Sequence, residues 1–486
     1  MRKRFETQLS IGLTPIAEVV IAKGRDELAP TLAALQHIFV TPELNEKVFS
    51  IVEEKVASGS KNYKGREGMT LWQILVLATC RLTLDADYDR MWDFANHHTL
   101  IRKIMQVSSN SFTGEDPSFG LQTIKDNLML LDEETVMKIN ELVVSEAHSF
   151  VLKKNEKLVI KSDTYVLETN VHFPTDYNLL LDAIRKCLDI MNFCQIKHGF
   201  QGWRKLKSWR SDLKSMSRAL GKACAGSGKN KAKTVESAAN DYLVAAGKLY
   251  QKIDQSVIEN IETIAKDEKL QALIETDLVF FMSMMKKHID LVERRLIKLE
   301  TIPTAEKIYS IFELHTEWIS KGKLNKSVEL GHNMLISSDQ HGFILRSQVV
   351  EGVHDSGLVI ALADDLLQKY KGRIVAMSFD KGFYSQENKA LLSLEIPQVI
   401  MPKKGNKNAK EKEEESSKSF KKLRYAHSAV ESNINQLEHH GLNRCPDKGL
   451  HRFKTYAALG VLSYNLNKLG RVLLERQAKQ VFRQAA

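Results

Sequence analysis

The pattern of apolar and polar positions predicts a chain built mainly of helices. Residues 1 to 150 have helical periodicity almost throughout, and Thr70 to Gln73 has the form of a capping box that starts a helix ending near Leu84. Asp85 and Asp87 then open a further helix over residues 88 to 96. Short helices joined by tight turns fit a helix-turn-helix that binds DNA, but they fit a plain helical bundle equally well.

Two stretches rich in branched apolar residues predict strands that end in an aspartate. In residues 157 to 170 the strand ends at Asp163 and turns into a second strand, and in residues 372 to 385 an apolar run ends at Asp380 before a Lys-Gly turn. Because ligands bind in open sheets at the crevice outside the strand ends, both carboxylates are candidates for a site.

A third acidic residue lies on a predicted helix within residues 427 to 445. Val430, Ile434 and Leu437 recur at helical spacing and would face a core. The adjoining polar face consists of His427, Glu431, Asn435 and Glu438. An amphipathic helix with a glutamate on its polar side is usually only a surface helix. Together with the two strand-end aspartates, however, Glu431 could complete a carboxylate set for divalent metal ions.

The remaining patterns predict the domain organisation. Residues 195 to 324 carry helical periodicity and no strand pattern, so we expect a helical insertion; a β-hairpin follows at residues 328 to 349. At residues 402 to 422 the composition changes to mainly Lys, Asn, Glu and Ser, which predicts a flexible basic loop. Residues 476 to 486 are predicted to form a polar tail. The expected domains are a helical region at 1–150, a domain that contains the sheet at 151–194 and 325–475, and the insertion at 195–324.

The insertion contains a stripe of cations along one predicted helix. This basic stripe consists of Lys207, Arg210, Lys214, Arg218 and Lys222. Its spacing suits a DNA phosphate backbone, although a solvated helix face is the usual reason for such a pattern. Lys403 and Lys404, in the predicted loop, could also hold DNA or could belong to a solvated linker.

Composition narrows the class of protein without identifying it. The 486 residues are 43% hydrophobic, enough to bury large cores, and a formal charge of +10 with a pI near 9.1 favours a polyanionic partner. The five cysteines form no CxxC pair, which argues against a zinc site or a disulfide framework. No apolar run approaches the roughly 18 residues that a membrane span needs, so a cytoplasmic protein is expected.

Several long motifs resemble one protein family. They are SDTYVLETNVHFPTD around Asp163, SFDKGFYS around Asp380, AHSAVESNINQLEHHGLNRC around Glu431, DQHGFILRSQV at residues 339 to 349, and the run from Arg66 to His97. In wording and order, these motifs resemble the DDE transposases of bacterial insertion sequences, of the ISNCY type. The resemblance implies an α/β RNase H-like catalytic domain at 151–194 and 325–475, a mixed sheet flanked by helices. It also implies an N-terminal all-α DNA-binding domain at 1–150 and a large all-α insertion at 195–324.

The resemblance also implies a mechanism. Asp163, Asp380 and Glu431 would hold two Mg²⁺ ions, for which Mn²⁺ could substitute, roughly 3.5–4 Å apart. Asp163 would contact both ions, and the site would cleave a strand at the transposon end and join the freed 3′-hydroxyl to target DNA. The expected partner is double-stranded DNA, as transposon ends and as target. Pairing two ends would require at least a homodimer, and no membrane or small-molecule substrate is expected.

Four further residues are secondary candidates. Asp176 reads first as a helix N-terminal residue and second as the substitute for a misassigned carboxylate. Arg424 and His427 precede Glu431 and could contact a phosphate, and Asn435 could orient Glu431 or water. For each of them, a structural hydrogen bond explains the residue equally well.

Two other functions remain open on the sequence. An RNase H-like endonuclease without transposition would need no module that recognises DNA ends, and the N-terminal helices argue against it. An inactive copy that only binds DNA would retain the same motifs.

Overall fold

The chain forms two compact units in a computed structural model that describes residues 2–5, 13–22, 24, 27–58, 68–107, 118–320 and 327–485. The first unit comprises Met1–Asn170 and Ile319–Ala486, and the second comprises Val171–Trp318. These boundaries differ from the expected domains in two respects. The N-terminal helices share a unit with the sheet, and residues 171–194 belong with the insertion.

In the described residues, the first unit contains thirteen α-helices. They precede, connect and follow the strands of one sheet. They are α1 (Leu28–Val40), α2 (Pro42–Ser58), α3 (Leu71–Thr83), α4 (Tyr88–His97), α5 (Thr99–Ile104), α6 (Leu121–Leu128), α7 (Glu133–Val151), then α14 (Asp355–Lys369), α15 (Gln386–Glu395), α16 (Ala409–Ser416), α17 (Lys418–His427), α18 (Ala429–Leu437) and α19 (Leu450–Ala485). The expected capping box is confirmed, since the Thr70 hydroxyl accepts from the Gln73 amide and the Gln73 side chain accepts from the Thr70 amide.

The sheet is mixed, and its central strand is the one that carries Asp163. The strands are β1 (Leu158–Thr169), β2 (Glu317–Ser320), β3 (Val328–Ser338), β4 (Ile344–Val350), β5 (Ile374–Phe379), β6 (Gln398–Ile400) and β7 (Arg444–Cys445). Their order is β2-β3-β1-β5-β6, with β4 on β3 and β7 on β1. β3 is antiparallel to both β1 and β4, whereas β5 and β7 are parallel to β1 and β6 is parallel to β5. The prediction of a mostly helical protein around a mixed sheet is confirmed.

One continuous apolar core joins the N-terminal helices to the sheet, and α19 runs through it. The backbone of α19 approaches α1 so closely that a Cβ added at Gly470 would lie 1.7 Å from the Pro30 carbonyl oxygen. Asn465 is fully buried in α19 and is satisfied by Asn140 of α7 at 2.7 Å and by the backbone of Ile344 at 2.9 and 3.0 Å. Because buried amides are costly unless bonded, this network fixes α7, α19 and β4 in one arrangement.

The second unit is helical and has its own apolar core. Its helices are α8 (Asp176–His198), α9 (Leu206–Ala225), α10 (Lys231–Glu259), α11 (Ile261–Ala265), α12 (Glu268–Ala272) and α13 (Val279–Leu296), with a π-helical turn at Leu273–Leu278 between the last two. Leu213 and Leu220 of α9 are buried, as the amphipathic pattern predicts, so the basic stripe lies on the opposite face.

Two local predictions are wrong. β1 does not end at Asp163 but continues to Thr169, because β3 pairs with it on both sides of that residue. Residues 402–422 are not a loop throughout: they contain α16 and the start of α17, and Asn408 caps α16 with Glu411 in a capping box. Residues 476–485, part of the predicted polar tail, continue α19 as a helix, and the side chains of residues 476–483 are exposed.

None of the helices in the described ranges is long and apolar enough to cross a bilayer.

We predict that Gly470→Ala lowers the free energy of unfolding by about 2 to 3 kcal/mol, because the added methyl group meets backbone that cannot move aside. Gly247→Ala in α10 is the matched control, since a Cβ there has no neighbour within 4 Å. It should be neutral or stabilise by up to about 1 kcal/mol through helix propensity. Urea unfolding followed by circular dichroism measures both, and equal effects would contradict the close packing of α1 on α19.

Candidate active site

The two strand aspartates occupy neighbouring positions where β5 ends beside β1. The parallel register pairs Lys161 with Ser378 and Ser162 with Phe379, so Asp163 and Asp380 are the next residues on the two strands. β5 stops there because the chain turns into a 3-10 helix at Lys381–Phe383. Asp163 is half-buried and accepts a hydrogen bond from the Thr164 amide at 2.8 Å, whereas Asp380 is exposed. The register therefore brings two carboxylates to one edge of the sheet.

The sheet face that carries these aspartates also carries a buried lysine and contacts a histidine. Side chains alternate along a strand, so Lys161 lies on the same face as Asp163. Burial lowers the pKa of Lys161, and Asp339 offsets part of that effect. His427, the last residue of α17, contacts the Ser378 hydroxyl with Nδ1 at 3.0 Å. α17 is thus fastened to β5 two residues before Asp380.

His427 is held neutral by its surroundings. Burial is the main reason that its pKa lies below the ordinary histidine value; Asp380 raises the pKa in part, and Lys161 lowers it. Its buried Nε2 has no hydrogen-bond partner among the described residues. A neutral imidazole beside Asp380 can accept or donate a proton, whereas it cannot supply a fixed positive charge to a phosphate.

Glu431 lies in the first turn of α18, a helix separate from the one that ends at His427. The predicted single helix through both residues is interrupted at Ser428, where the backbone keeps right-handed helical angles but the Ser428 amide bonds to the Tyr425 carbonyl, three residues back, at 3.3 Å. Glu431 is exposed, while its neighbour Asn433 is buried and donates to the Ser338 hydroxyl at 2.8 Å. Tyr464 of α19 donates to the Asn433 side-chain oxygen at 3.1 Å. Asn433, which the sequence analysis did not single out, therefore anchors the helix that bears Glu431.

Residues 440–447, which follow α18, are held in place by contacts with the N-terminal helices. Arg81 of α3 is buried and donates to both carboxylate oxygens of Asp447, at 2.7 and 2.9 Å. His440 contacts the carbonyl oxygen of Thr83 with Nδ1 at 2.9 Å. Gly441 has a φ of 84°, and an added Cβ would lie 2.7 Å from Asp85. Since α3 is buried on nearly every side, it supports this segment and is not free to enter a DNA groove.

The three carboxylates do not form a metal-ligand set by themselves. Among the described residues, no three His, Cys, Asp or Glu side chains lie close enough together to hold one metal ion. Asp163 and Asp380 are adjacent by register. α18 packs on the same face of the sheet through Asn433, and Glu431 is exposed on that helix. The carboxylate donors suit hard cations such as Mg²⁺, which keep several waters and need only one or two protein carboxylates.

A fourth carboxylate near this edge was not found from the sequence. Asp355, the first residue of α14, accepts a hydrogen bond from the Thr164 hydroxyl at 3.0 Å. It also lies against Gly382, two residues beyond Asp380. In the sequence it reads as an ordinary helix N-terminal aspartate. One sequence signal could have identified it: Asp355 begins the helix that connects β4 to β5, the strand that ends next to Asp380.

The remaining candidates of the first unit have local partners or are exposed. Arg424 lies 3.9 Å from Glu415, and Lys403 binds Glu411 at 2.9 Å, which raises the pKa of the lysine. Lys404 and Asn435 are exposed. Asn435 follows Glu431 by one turn of α18, so the two side chains share a face of the helix.

Asp176 belongs to the second unit, where its carboxylate forms an ion pair. It begins α8, is mostly buried, and pairs with Arg295 at 2.9 Å. Burial raises its pKa, and Arg295 and Lys307 oppose that effect. Near it lies His288, which is fully buried, with Nδ1 3.9 Å from an Asp176 oxygen and no hydrogen-bond partner for either nitrogen among the described residues. These contacts are those of a structural ion pair.

The basic stripe of α9 is accessible. All five side chains, Lys207, Arg210, Lys214, Arg218 and Lys222, are exposed. Arg210 forms an ion pair with Asp189 of α8, so its charge is partly neutralised within the unit. The other four positions therefore present most of the positive charge of this face.

Comparison of the chain with protein-family models, with curated proteins and with solved structures found no match. The arrangement of the carboxylates at the β1–β5 edge is therefore the evidence from which a function has to be inferred. The exposed cations of α9 are the second observation that bears on it.

We predict that His288 makes the stability of the protein depend on pH. Burial, followed by Lys287, lowers its pKa to about 4, and Asp182 opposes them. Because the unfolded chain takes up the proton first, stability should rise by about 2 kcal/mol between pH 5 and 7.5. His288→Leu should remove this rise, whereas His97→Leu at an exposed site should keep it. Urea unfolding at both pH values measures the difference; an unchanged slope in His288→Leu would contradict the assignment.

Proposed function

We propose that the protein is a DNA transposase that cleaves a strand at the ends of an insertion sequence and joins the freed 3′-hydroxyl to target DNA. The observation that carries this proposal is the β1–β5 register, which puts Asp163 and Asp380 side by side at one sheet edge. β1, β3 and β4 pair antiparallel, and β5 and β6 extend the sheet parallel to β1, with helices between the strands in the chain. This arrangement is in keeping with an RNase H-like catalytic domain. The family resemblance of the surrounding motifs supports the same reading.

The side chains at this edge would hold the reacting groups. Asp163 and Asp380 would bind Mg²⁺, and Glu431 would be the third carboxylate donor. When bound, two such ions supply an activated oxygen nucleophile and neutralise charge on the phosphoryl group. His427, neutral at physiological pH, would lie beside Asp380 and could relay a proton. Asn433 would hold α18, the helix that bears Glu431, against β3.

The basic stripe would bind the phosphate backbone of the DNA. Four exposed cations that recur along α9 match a polyanion, and the net charge of +10 favours the encounter. Lys404 could add a contact beyond β6, whereas Lys403 is already paired with Glu411. The α3 helix contributes by holding the 440–447 segment and not by reading bases.

A protein that binds DNA without cutting it is the second candidate. The observation in its favour is that the three carboxylates do not form one ligand set among the described residues. An RNase H-like endonuclease without strand joining shares the same edge. Cleavage and joining assays separate the three functions.

We predict that the protein cleaves DNA that carries the ends of its own element in the presence of Mg²⁺. Asp163→Ala, Asp380→Ala and Glu431→Ala should each bind this DNA as well as wild type and reduce cleavage at least about 1,000-fold, because each removes a carboxylate that would hold the Mg²⁺ ions needed to neutralise charge on the phosphoryl group. Gel assays of cleaved and joined strands give the readout. Glu438→Ala, an exposed glutamate two turns beyond Glu431, is the control that should cleave normally.

The outcomes distinguish the candidates. Cleavage followed by joining to a second duplex is the expected result. Cleavage without joining would favour the endonuclease, and binding without cleavage would favour the DNA-binding protein. Cleavage by all three alanine variants would overturn the assignment of the carboxylates.

We predict that reversing charge on the basic stripe weakens DNA binding. Lys207→Glu with Lys214→Glu should lower affinity at least about 10-fold and reduce the slope of log affinity against log salt by about 2, one unit for each lost phosphate contact. Lys248→Glu with Lys266→Glu makes the same change of charge at exposed positions off the stripe and should have a smaller effect. Fluorescence anisotropy at several salt concentrations measures both. Equal effects of the two double variants would mean that net charge, and not the position of the basic stripe, determines DNA affinity.

A further inference from the structure

We propose that Asp355 is a positioning residue that fixes the spacing between Asp163 and Asp380. The inference rests on the proposed function, because it concerns the geometry of the carboxylates to which that function is assigned. Asp355 contacts the residue that follows Asp163 and the turn that follows Asp380. It therefore contacts both strands just beyond Ser162 and Phe379, the last two residues that pair between β1 and β5.

The first contact is a hydrogen bond to β1. The Thr164 hydroxyl donates to Oδ1 of Asp355 at 3.0 Å. Because side chains alternate, Thr164 points to the sheet face opposite to Asp163, so α14 holds β1 from behind the carboxylate edge. The bond leaves the Asp163 side chain on its own face and fixes the backbone from which it projects.

The second contact is with the turn after β5. A Cβ added at Gly382 would lie 2.7 Å from Oδ2 of Asp355, which is closer than real Cβ atoms approach an oxygen. The backbone conformation at Gly382 is not one that requires glycine, since its φ is not in the left-handed region. A methyl group at this position would displace the carboxylate of Asp355, whereas glycine lets that carboxylate pack directly against the turn that follows Asp380.

A further bond ties the same turn of α14 to the start of α15. Asn388 is buried and donates to the carbonyl oxygen of Ser356 at 2.7 Å, while its own amide donates to the Ser385 hydroxyl that caps α15 at 2.9 Å. The first turn of α14 thus contacts β1 on one side and both ends of the 381–388 segment on the other. We refer to Thr164, Asp355 and Gly382 as the α14 clamp.

The clamp matters because two neighbouring carboxylates repel each other until cations bind between them. A two-ion site tolerates little variation in their separation, and a displacement of about 1 Å can cost roughly 100-fold in rate. Asp355 acts through its oxygen as a hydrogen-bond acceptor in this arrangement. An asparagine would offer the same acceptor to Thr164 without the charge, whereas an alanine would offer none.

The test compares variants that keep the clamp with variants that break it. Asp355→Asn and Thr164→Ser keep the bond and should cleave within about 3-fold of wild type. Asp355→Ala, Thr164→Val and Gly382→Ala break or crowd the clamp and should lower kcat about 10- to 100-fold while KM for DNA stays unchanged. Asp364→Ala, at an exposed aspartate of the same helix, is the matched control. Thermal unfolding verifies that each variant folds.

A second readout does not depend on catalysis. Calorimetric titration with Mn²⁺ should give weaker binding in the three clamp-breaking variants and wild-type binding in Asp355→Asn, Thr164→Ser and Asp364→Ala. If Asp355→Asn lost as much as Asp355→Ala, the charge itself would be required and the positioning role would be wrong. Wild-type behaviour of all variants would also overturn it. If wild type neither cleaves DNA nor binds Mn²⁺, the proposed function fails and this inference falls with it.

Discussion

The pairing of β1 with β5 is the interaction on which the candidate site depends. β1 is the central strand: it pairs with β3 along one edge and with β5 and β7 along the other. β5 ends where Asp380 stands next to Asp163, so the β1–β5 pairing no longer restrains Asp380, whereas Asp163 remains paired with Ile336 of β3. The supports around the edge, α14 behind it and α17 and α18 in front of it, take over at the position where the backbone pairing stops.

These supports come from distant parts of the chain, which links the N-terminal helices to the site. In the bidentate pair with Asp447, Arg81 is buried and Asp447 is half-buried, so removing the carboxylate would leave a buried guanidinium uncompensated. This pair and the His440 contact hold the segment directly after the Glu431 helix. The N-terminal region thus stabilises the segment that follows the Glu431 helix.

Sequence reasoning succeeded where local chemistry decides the structure. The capping box at Thr70 and the hairpin of β3 with β4 depend on residues close in sequence, and both are confirmed. It failed where distant contacts decide. Asp163 looked like a strand end because an acidic residue interrupts an apolar run, yet β3 pairs across it. Asp355 could not be found because Thr164 lies 191 residues away along the chain. The charged 402–422 stretch was read by composition alone, although its Asn408 cap and its Lys–Glu pairs favour a helix.

The most direct measurement is a crystal structure of the protein with DNA carrying its element's ends and Mn²⁺, using anomalous scattering to locate the metal. Two manganese peaks between Asp163, Asp380 and Glu431, next to a phosphate of the DNA, are the predicted result. DNA bound at the α9 stripe with no manganese at the β1–β5 edge, or with manganese held by other residues, would contradict the assignment of this edge as the catalytic site.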